Sequence, residues 1–241
     1  MLDLSIIIST KDRKPYLETL IKSIKANSNC EYEIIVVDDA SDDGTGTWCI
    51  TNGIRYMRNN KSVPVATAWN QGAEIADGYY LVFLNDDMTV EKGWDTSQII
   101  LARSSPMMGT LAFKVFDDEG NVQSRGHSFQ GLQPYLPDEG VVEVDYSDHP
   151  FVAKRMWKYV EGFTAHGQMY YEDADFGLKL QSRGYKNYYN PEAILRHLTV
   201  GLRVGSPEDK AKRKYNEEVL QQEAKESFFS EWETYLIAKS R

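Results

Sequence analysis

The strongest constraint on this chain is an alternation, over its first 90 residues, between short continuously apolar runs and longer segments with helical periodicity. Leu4–Ile8, Ile34–Val37 and Tyr79–Leu84 are apolar at nearly every position. Such runs are typical of strands buried on both faces, as in a parallel sheet that helices cover on both sides. The sequence therefore predicts an α/β domain with a central, mostly parallel sheet flanked by helices.

The segments between these runs have the spacing of helices that cover a sheet. The first segment has Pro15 near its start, which suits a first helical turn, and its apolar residues recur at i, i+3, i+4 and i+7 from Leu17 to Ile24. We expect this helix to end near Asn27. The same reasoning predicts helices over about 64–76 and 171–184, a short strand near 54–57, and a strand over 193–195 that leads to His197.

Two parts of the chain depart from this pattern. Between residues 117 and 152 the periodicity gives way to Gly, Pro, Asp and Gln, which indicates a variable insert of the kind in which substrate specificity often resides. From Pro207 onward the chain is charged and helical. This tail could pack on its own domain, join a second subunit in a homo-oligomer or touch a membrane surface, and we expect one of the first two. Its large apolar side chains are Phe228, Phe229, Trp232 and Tyr235.

Composition excludes several classes of function. Lys and Arg number 27 against 36 Asp and Glu, a formal charge of −9, so we expect no nucleic-acid partner. No segment approaches the roughly 18 consecutive apolar residues of a membrane span. The start of the sequence lacks the pattern of a secretory signal, so we expect a cytoplasmic protein. Cys30 and Cys49 alone predict neither a zinc site nor a disulfide framework.

Acidic residues directly follow two of the apolar runs. Asp38 and Asp39 end the second run, and Asn85-Asp86-Asp87 ends the third. The carboxyl ends of parallel strands form the ligand-binding edge of such sheets, and paired carboxylates there suit Mg²⁺ or Mn²⁺ bound to phosphate oxygens. The alternative is a turn with solvated acids.

A third acidic group, Glu172-Asp173-Ala174-Asp175, opens a predicted helix. Helix capping alone would favour acids at this position. A helical wheel places Glu172 and Asp175 on a polar side with Lys179, whereas Asp173 aligns with Gly177 on the inward side. A carboxylate at the edge of a core is placed to act as a general base on a hydroxyl, so we prefer Asp173 to Glu172 as the catalytic residue.

Histidine and basic residues near these acids complete the candidate site. His197 ends an apolar strand, where a neutral imidazole could be a further metal ligand in a set that favours Mn²⁺ over Ca²⁺. Lys11 and Arg13 follow the first strand, and Arg203 lies in a Gly-rich stretch after His197. All three could donate hydrogen bonds to a diphosphate, and each could equally be a solvated surface charge.

Taken together, four segments resemble the family 2 inverting glycosyltransferases. They are Ser5–Arg13, Val36–Thr45, Leu84–Asp87 and Tyr171–Asp175, in the family's order, within residues 4 to about 200. The resemblance implies a GT-A fold, with a Rossmann-like sheet and a helical C-terminal tail. It also implies one domain over residues 1–205, with a nucleotide-sugar half (1–100) and an acceptor half (101–205), followed by a helical extension over 206–241.

The resemblance also implies roles for individual residues. Ser9 and Asp39 would hold the uracil or thymine base of a UDP- or dTDP-sugar, with Thr10 and Asn85 in the same nucleotide-sugar site. Asp86 would approach the ribose. Asp87 would coordinate Mn²⁺ or Mg²⁺ on the diphosphate, and His197 resembles the additional metal ligand that some members have. Asp173 matches the base that deprotonates the acceptor hydroxyl as it attacks the anomeric carbon with inversion.

Some positions depart from the family pattern, chiefly on the acceptor side. Asn85 stands where Asp is usual, Lys11-Asp12 replaces the commoner Tyr-Asn, and Glu161–Thr164 matches only in part. The acceptor could be a glycan, a lipid-linked glycan or a protein. The aromatic side chains that could stack on its sugar rings are Trp157, Tyr170 and Tyr171.

Two other functions remain open at this point. One is a nucleotidyltransferase that makes sugar nucleotides, although no Gly-rich triphosphate loop with Arg or Lys follows the first strand. The other is a non-catalytic module that binds nucleotides or carbohydrates. The presence of Asp87, Asp173 and His197 together favours the enzyme over that module.

Overall fold

The computed structural model describes residues 2–129, 140–198 and 207–239, the last with side chains from residue 218. A sheet with helices on its faces forms the body of the protein. The strands are β1 (Leu4–Thr10), β2 (Tyr32–Asp38), β3 (Arg55–Arg58), β4 (Tyr80–Asn85), β5 (Met88–Val90), β6 (Met108–Phe116), β7 (Val122–Ser124), β8 (Val142–Val144), β9 (Phe151–Ala153) and β10 (Lys186–His197). The helices are α1 (Lys14–Asn27), α2 (Thr45–Thr51), α3 (Val65–Ile75), α4 (Trp94–Ser104), α5 (Lys154–Tyr159), α6 (Glu172–Gln181) and α7 (Pro207–Lys239).

The strands lie in the order β3-β2-β1-β4-β9-β6-β10-β5, with β7 beside β6 and β8 beside β10. The first four strands in this order are parallel, as the apolar runs predict. In the register of β1 with its neighbours, Thr10 pairs with Asp38, and Ser9 pairs with Asn85. The carboxyl ends of β1, β2 and β4 therefore meet at one edge of the sheet.

Helices α1 and α3 form where the periodicity predicts them, because each has one apolar face that the sheet can bury. Leu17, Leu20 and Ile24 are fully buried in the main core, together with the apolar residues of β1 and β2. The predicted α/β class is confirmed.

The second half of the sheet is mixed. Strand β9 is antiparallel to both β4 and β6, while β6 and β10 run parallel. Three strands of three residues, β7, β8 and β9, lie in the segment that we expected to be a variable insert. They are too short to produce a periodic pattern, but hydrogen bonds to longer strands hold them in place.

Helix α7 packs on its own domain, one of the two expected arrangements. Phe228 and Trp232 form a separate cluster with Ala174 and Leu178 of α6. This contact corrects the helical wheel of α6, because Asp175 is completely buried beneath α7 rather than on a solvated side. Trp232 Nε1 donates a hydrogen bond to Asp175 Oδ1 at 2.8 Å.

Candidate active site

The carboxyl ends of β1 and β4 bring polar side chains together. Thr10 Oγ1 donates a hydrogen bond to Asp86 Oδ2 at 2.7 Å. Both side chains are buried, whereas Ser9 is partly exposed and Asn85 is exposed. Strand pairing alone places these four residues at the same edge, as the sequence predicts.

The second aspartate after β2 lies at the same edge. Asp39 Oδ1 accepts a hydrogen bond from the Val63 amide at 2.8 Å, and Asp39 Oδ2 accepts one from the Ser62 hydroxyl. Lys11 Nζ is 3.7 Å from Asp39 Oδ2. Asp38 instead stabilises the loop after β2, because it accepts hydrogen bonds from the Ser41 amide and the Tyr56 hydroxyl.

Asp86 and Asp87 both form ion pairs with the guanidinium group of Arg13. Arg13 Nη1 is 3.2 Å from Asp86 Oδ1, and Arg13 Nη2 is 2.8 Å from Asp87 Oδ2. His197 Nε2 lies 3.2 Å from the same Asp87 oxygen. Two backbone contacts hold the imidazole there. His197 of β10 pairs with Met88 of β5, and the Leu198 amide donates a 2.7 Å hydrogen bond to the Asp87 carbonyl.

The surroundings of Asp86 and Asp87 shift the pKa values of their carboxyl groups in opposite directions. Burial raises the pKa of Asp86 to about 7, against the opposing charge of Arg13. Burial also acts on Asp87, but the hydrogen bond from His197 and the charge of Arg13 hold the pKa of Asp87 well below its ordinary range. Asp87 is therefore ionised at neutral pH, and a carboxyl group must be ionised to bind a metal ion.

Asp87 and His197 fit a divalent cation. Asp87 Oδ1 is buried and accepts no hydrogen bond from the described residues, so this oxygen is available as a ligand atom. A carboxylate and an imidazole side by side form a donor set that suits Mn²⁺.

A three-ligand group exists elsewhere in the described chain. His166, Asp175 and Glu231 offer ligand atoms within 4.8 Å of one another at the contact of α6 with α7. Lys179 Nζ, however, is 2.9 Å from Asp175 Oδ2, and Trp232 also donates to this carboxylate. These contacts indicate a structural hydrogen-bond network.

The start of α6 holds the candidate base. Tyr170 and Tyr171 directly precede it with φ angles of 79° and 65°, a left-handed conformation that is strained for tyrosine and is often found at functional sites. Burial raises the pKa of Glu172 to about 8 and that of Asp173 to about 6. Asp173 is partly exposed and Glu172 is buried, so the face of α6 that each occupies differs from the helical wheel.

Three site residues that the sequence reasoning missed come from the 117–152 segment. His127 Nε2 is 3.8 Å from Asp148 Oδ2, and His149 is buried beside this pair. A hydrogen bond from the Phe83 amide to the Pro150 carbonyl, with the pairing of β4 and β9, holds this stretch against the carboxyl end of β4. The adjacent Asp148-His149 pair in a segment without periodicity was the one available signal.

This segment interacts both with the edge formed by the carboxyl ends of β1, β2 and β4 and with α6. The pKa of His149 is lowered by burial, which outweighs the charge of Asp148, and the charges of Asp87 and His197 also reach it. On the other side, His127 and Asp148 act electrostatically on Asp173. His127, Asp148 and His149 therefore form a polar cluster that interacts electrostatically with both Asp87 and Asp173.

The candidate acceptor aromatics have different environments. Trp157 is only 4% exposed, lies in the main core and donates to Asn70 Oδ1, so its ring offers no surface to an acceptor and that prediction is wrong. Tyr171 stacks on Phe228 with ring centroids 4.9 Å apart, and Tyr170 is partly exposed. Arg203 lies outside the described residues.

Comparison with known proteins identifies the family. The profile of "Glycosyl transferase family 2" matches residues 5–172, which include β1, the donor edge and the start of α6. The chain belongs to this family. The match confirms the resemblance to this family and covers the first three segments and the start of the fourth.

Curated relatives of this family 2 protein are distant. The O-antigen biosynthesis protein RfbC of Myxococcus xanthus is 23% identical over 80% of this chain and 17% of its own length. The GalNAc(5)-diNAcBac-PP-undecaprenol beta-1,3-glucosyltransferase of Campylobacter jejuni is 31% identical over 54% of this chain and 43% of its own length. The chain thus spans less than half the length of these relatives.

Solved structures show the same fold. A crystal structure of GalNAc-T7 with UDP, GalNAc and Mn²⁺ has a TM-score of 0.68 at 16% identity, over 83% of this chain and 44% of that one. A crystal structure of S. aureus TarS 1-349 has a TM-score of 0.61 at 16% identity, over 82% of this chain and 60% of that one. The predicted GT-A fold is confirmed. In the described part of this family 2 chain, no helix is both long and apolar enough to cross a membrane.

Proposed function

We propose that this family 2 protein is a metal-dependent inverting glycosyltransferase that moves a sugar from a UDP- or dTDP-sugar to a hydroxyl of a carbohydrate-bearing acceptor. The observation that supports this proposal best is the Asp87–His197 pair, 3.2 Å apart, with the unused buried oxygen of Asp87 at the edge formed by β1, β2 and β4. Ligands of α/β sheets bind at this edge.

The nucleotide-sugar site, to which His197 of the second half also belongs, would contribute binding and charge. Asp39 and Ser9 would hold the base and Asp86 the ribose, while Asp87 and His197 would hold Mn²⁺ or Mg²⁺. The bound cation would supply neutralisation of the charge that develops on the leaving diphosphate. Arg13 and Lys11 already lie beside these carboxylates and would donate to the diphosphate oxygens.

The acceptor half contributes the base. Asp173 would accept the proton of the acceptor hydroxyl while its oxygen bonds to the anomeric carbon and the bond to the nucleoside diphosphate breaks. The pKa of about 6 suits this role, because the group is mostly ionised at neutral pH but remains a better proton acceptor than an ordinary aspartate. The proposed division remains 1–100 and 101–205, with an extension over 206–241, and His197 would be a metal ligand that the second of these stretches contributes to the nucleotide-sugar site.

Thermal unfolding with UDP, dTDP, GDP and CMP, each with and without Mn²⁺, tests the proposal without an acceptor. At about 100 times Kd a ligand adds about 2.7 kcal/mol of stability, which corresponds to about 5–10 °C in Tm for a chain of this size. We expect a Mn²⁺-dependent rise with UDP or dTDP that Asp87→Asn abolishes.

The matched control is Glu74→Gln, the same carboxyl-to-amide change at an exposed position of α3. It should leave the rise unchanged. If no nucleotide stabilises the wild-type protein, or if Asp87→Asn responds like the wild type, the proposed donor site is wrong. Release of pyrophosphate from a nucleoside triphosphate and a sugar phosphate would instead support a nucleotidyltransferase.

A further inference from the structure

His127 has no part in the function proposed above, yet the structure holds it firmly. Its amide donates to the Tyr146 carbonyl at 3.0 Å, and its carbonyl accepts a 2.7 Å hydrogen bond from the Asp145 amide. Its ring lies nearly parallel to that of Tyr146, with centroids 4.7 Å apart and an interplanar angle of 15°. Backbone pairing and ring stacking together leave the imidazole little freedom.

Tyr146 in turn packs against the helix that presents Asp173. A Cβ on Gly177 would lie 2.6 Å from both Tyr146 Cβ and the Asp145 carbonyl oxygen, so a glycine is needed for this close approach. Asn187 Nδ2 joins the two segments, since it donates to the carbonyls of Asp145 and Gly177. Gly177 and Asp173 are four residues apart and share one helix face. The ring stack therefore places His127 next to Tyr146, which packs on the face of α6 that Gly177 and Asp173 share.

The carboxylate of Asp148 also lies close to the His127 imidazole. Asp148 Oδ2 is 3.8 Å from His127 Nε2, and Ser124 Oγ is 3.5 Å from the same nitrogen. Asp148 Oδ1 is buried without a hydrogen-bond partner in the described residues. Burial favours the neutral imidazole, but the charges of Asp148 and Asp173 outweigh it and raise the pKa of His127.

Several other titratable groups face this pair. Glu172 adjoins Asp173, whose charge together with burial raises the pKa of Glu172, and His149 adjoins Asp148. Tyr146 and Tyr171 have raised pKa values, through burial and then through the charge of Asp173. Among the groups that act on Asp173, His127 is the one whose positive charge favours the ionised carboxylate.

We propose that His127, held by Asp148 and stacked on Tyr146, is a positioning residue that keeps the Asp173 carboxylate ionised and ready to accept the proton of the acceptor. This inference rests on the proposed role of Asp173 as the base. It also gives the 117–152 segment a function in catalysis, in addition to any role in selecting the acceptor.

An NMR titration of the full chain tests the inference without substrate. The sequence has four histidines, and the imidazole signal that disappears in His127→Gln assigns His127. Because coupling between two sites is reciprocal, Asp173→Asn should move the titration midpoint of His127 to lower pH. Glu74→Gln, at its exposed position on α3, should not move it. An unchanged His127 midpoint in folded Asp173→Asn would overturn the inference.

The carboxyl signal of Asp173 provides the reverse measurement. His127→Gln keeps a hydrogen-bonding group without the charge, and His127→Phe keeps the ring on Tyr146 without the charge. We expect Asp173 to titrate at higher pH in both variants. If the Asp173 titration midpoint changes only in His127→Gln, which loses the ring stack, or changes in neither variant, His127 is merely structural. Neither readout needs a metal, a nucleotide or turnover, so failure here is distinguishable from failure of the donor test.

Discussion

The two halves of this molecule place their candidate site residues by different means. In the first half Thr10, Asp39 and Asp86 come at or directly after buried parallel strands, and strand register brings them together. In the second half Asp173 depends on contacts between segments far apart in sequence, through β9 and the Tyr146 stack. Residues at strand ends can therefore be located from a local pattern, whereas the acceptor side requires the assembled fold.

The main core and the contact of α6 with α7 differ in size. One large core includes β1, β2, α1 and α3 and extends into the second half through β6, β9, β10 and α5. The contact of α6 with α7 has a small core of its own, centred on Phe228 and Trp232. Regions with few buried apolar contacts open at lower free energy than a main core. The comparison leads to four predictions, given from the largest expected effect to the smallest.

Asp173→Asn should separate the two halves functionally. Loss of a general base reduces turnover by about 10²–10⁴-fold, while the Mn²⁺-dependent stabilisation by nucleotide should persist because Asp173 is not among the proposed nucleotide and metal ligands. The measurement is release of nucleoside diphosphate with an acceptor that the wild type uses, alongside thermal shift. Near-normal turnover would exclude Asp173 as the base, and Glu172→Gln serves as the neighbouring control.

Phe228→Ala should loosen α7 while the main sheet stays folded. Removing a fully buried phenylalanine costs about 3–5 kcal/mol. We expect amide hydrogen exchange to accelerate in α7 and α6, with β1 and β2 still protected. Leu17→Ala, in the main core, should instead lower protection throughout the chain. Equal loss of protection in both variants would mean that the protein unfolds as one cooperative unit.

Glu172→Gln should change how stability depends on pH. Burial raises the pKa of Glu172 from 4.5 in the unfolded chain to about 8, so the folded state retains a proton that the unfolded state releases. Stability is therefore lost as pH rises from about 4.5 to 8. The glutamine variant avoids this loss and should be more stable than wild type by up to about 4 kcal/mol at pH 8, with little difference at pH 4.

Urea denaturation at several pH values measures this effect. Asp173, whose pKa of about 6 is also raised by burial, contributes a loss of the same sign at lower pH, so some slope should remain in the variant. Parallel pH profiles for the two proteins would contradict the buried, proton-retaining state of Glu172.

Trp232→Phe tests the hydrogen bond beneath α7. The variant keeps an aromatic ring but leaves Asp175 Oδ1 without the indole donor, and Lys179 still neutralises the carboxylate. We expect a loss of about 1–2 kcal/mol. The measurement is the free energy of unfolding. We also expect amide hydrogen exchange in α7 to accelerate less in this variant than in Phe228→Ala.

Much of the donor side was predictable from residue order. Continuous apolar runs predicted β1, β2 and β4, and the acids that follow them predicted the edge at which Asp86 and Asp87 meet. Strand continuity alone also placed His197 near a strand end. The structure adds that Met88 pairs with His197, which brings the imidazole to Asp87.

Other predictions failed because they depended on contacts that periodicity does not encode. The helical wheel of α6 assumed one covered face, but α7 covers a second face and buries Asp175. Trp157 was assigned to an acceptor surface, yet β9 and α5 carry it into the main core. His127 and Asp148 were missed because the strands around them are three residues long.

The order of residues was enough to establish the α/β class, the acidic edge formed by the ends of β1, β2 and β4, and the family, because each rests on runs of neighbouring residues whose burial follows from their own hydrophobicity. The pairing of β9 with β4, the cover that α7 forms over α6 and the stack of His127 on Tyr146 depended on the tertiary structure. Their free energy comes from contacts between residues distant in sequence, which become favourable only when the main sheet has already brought them close.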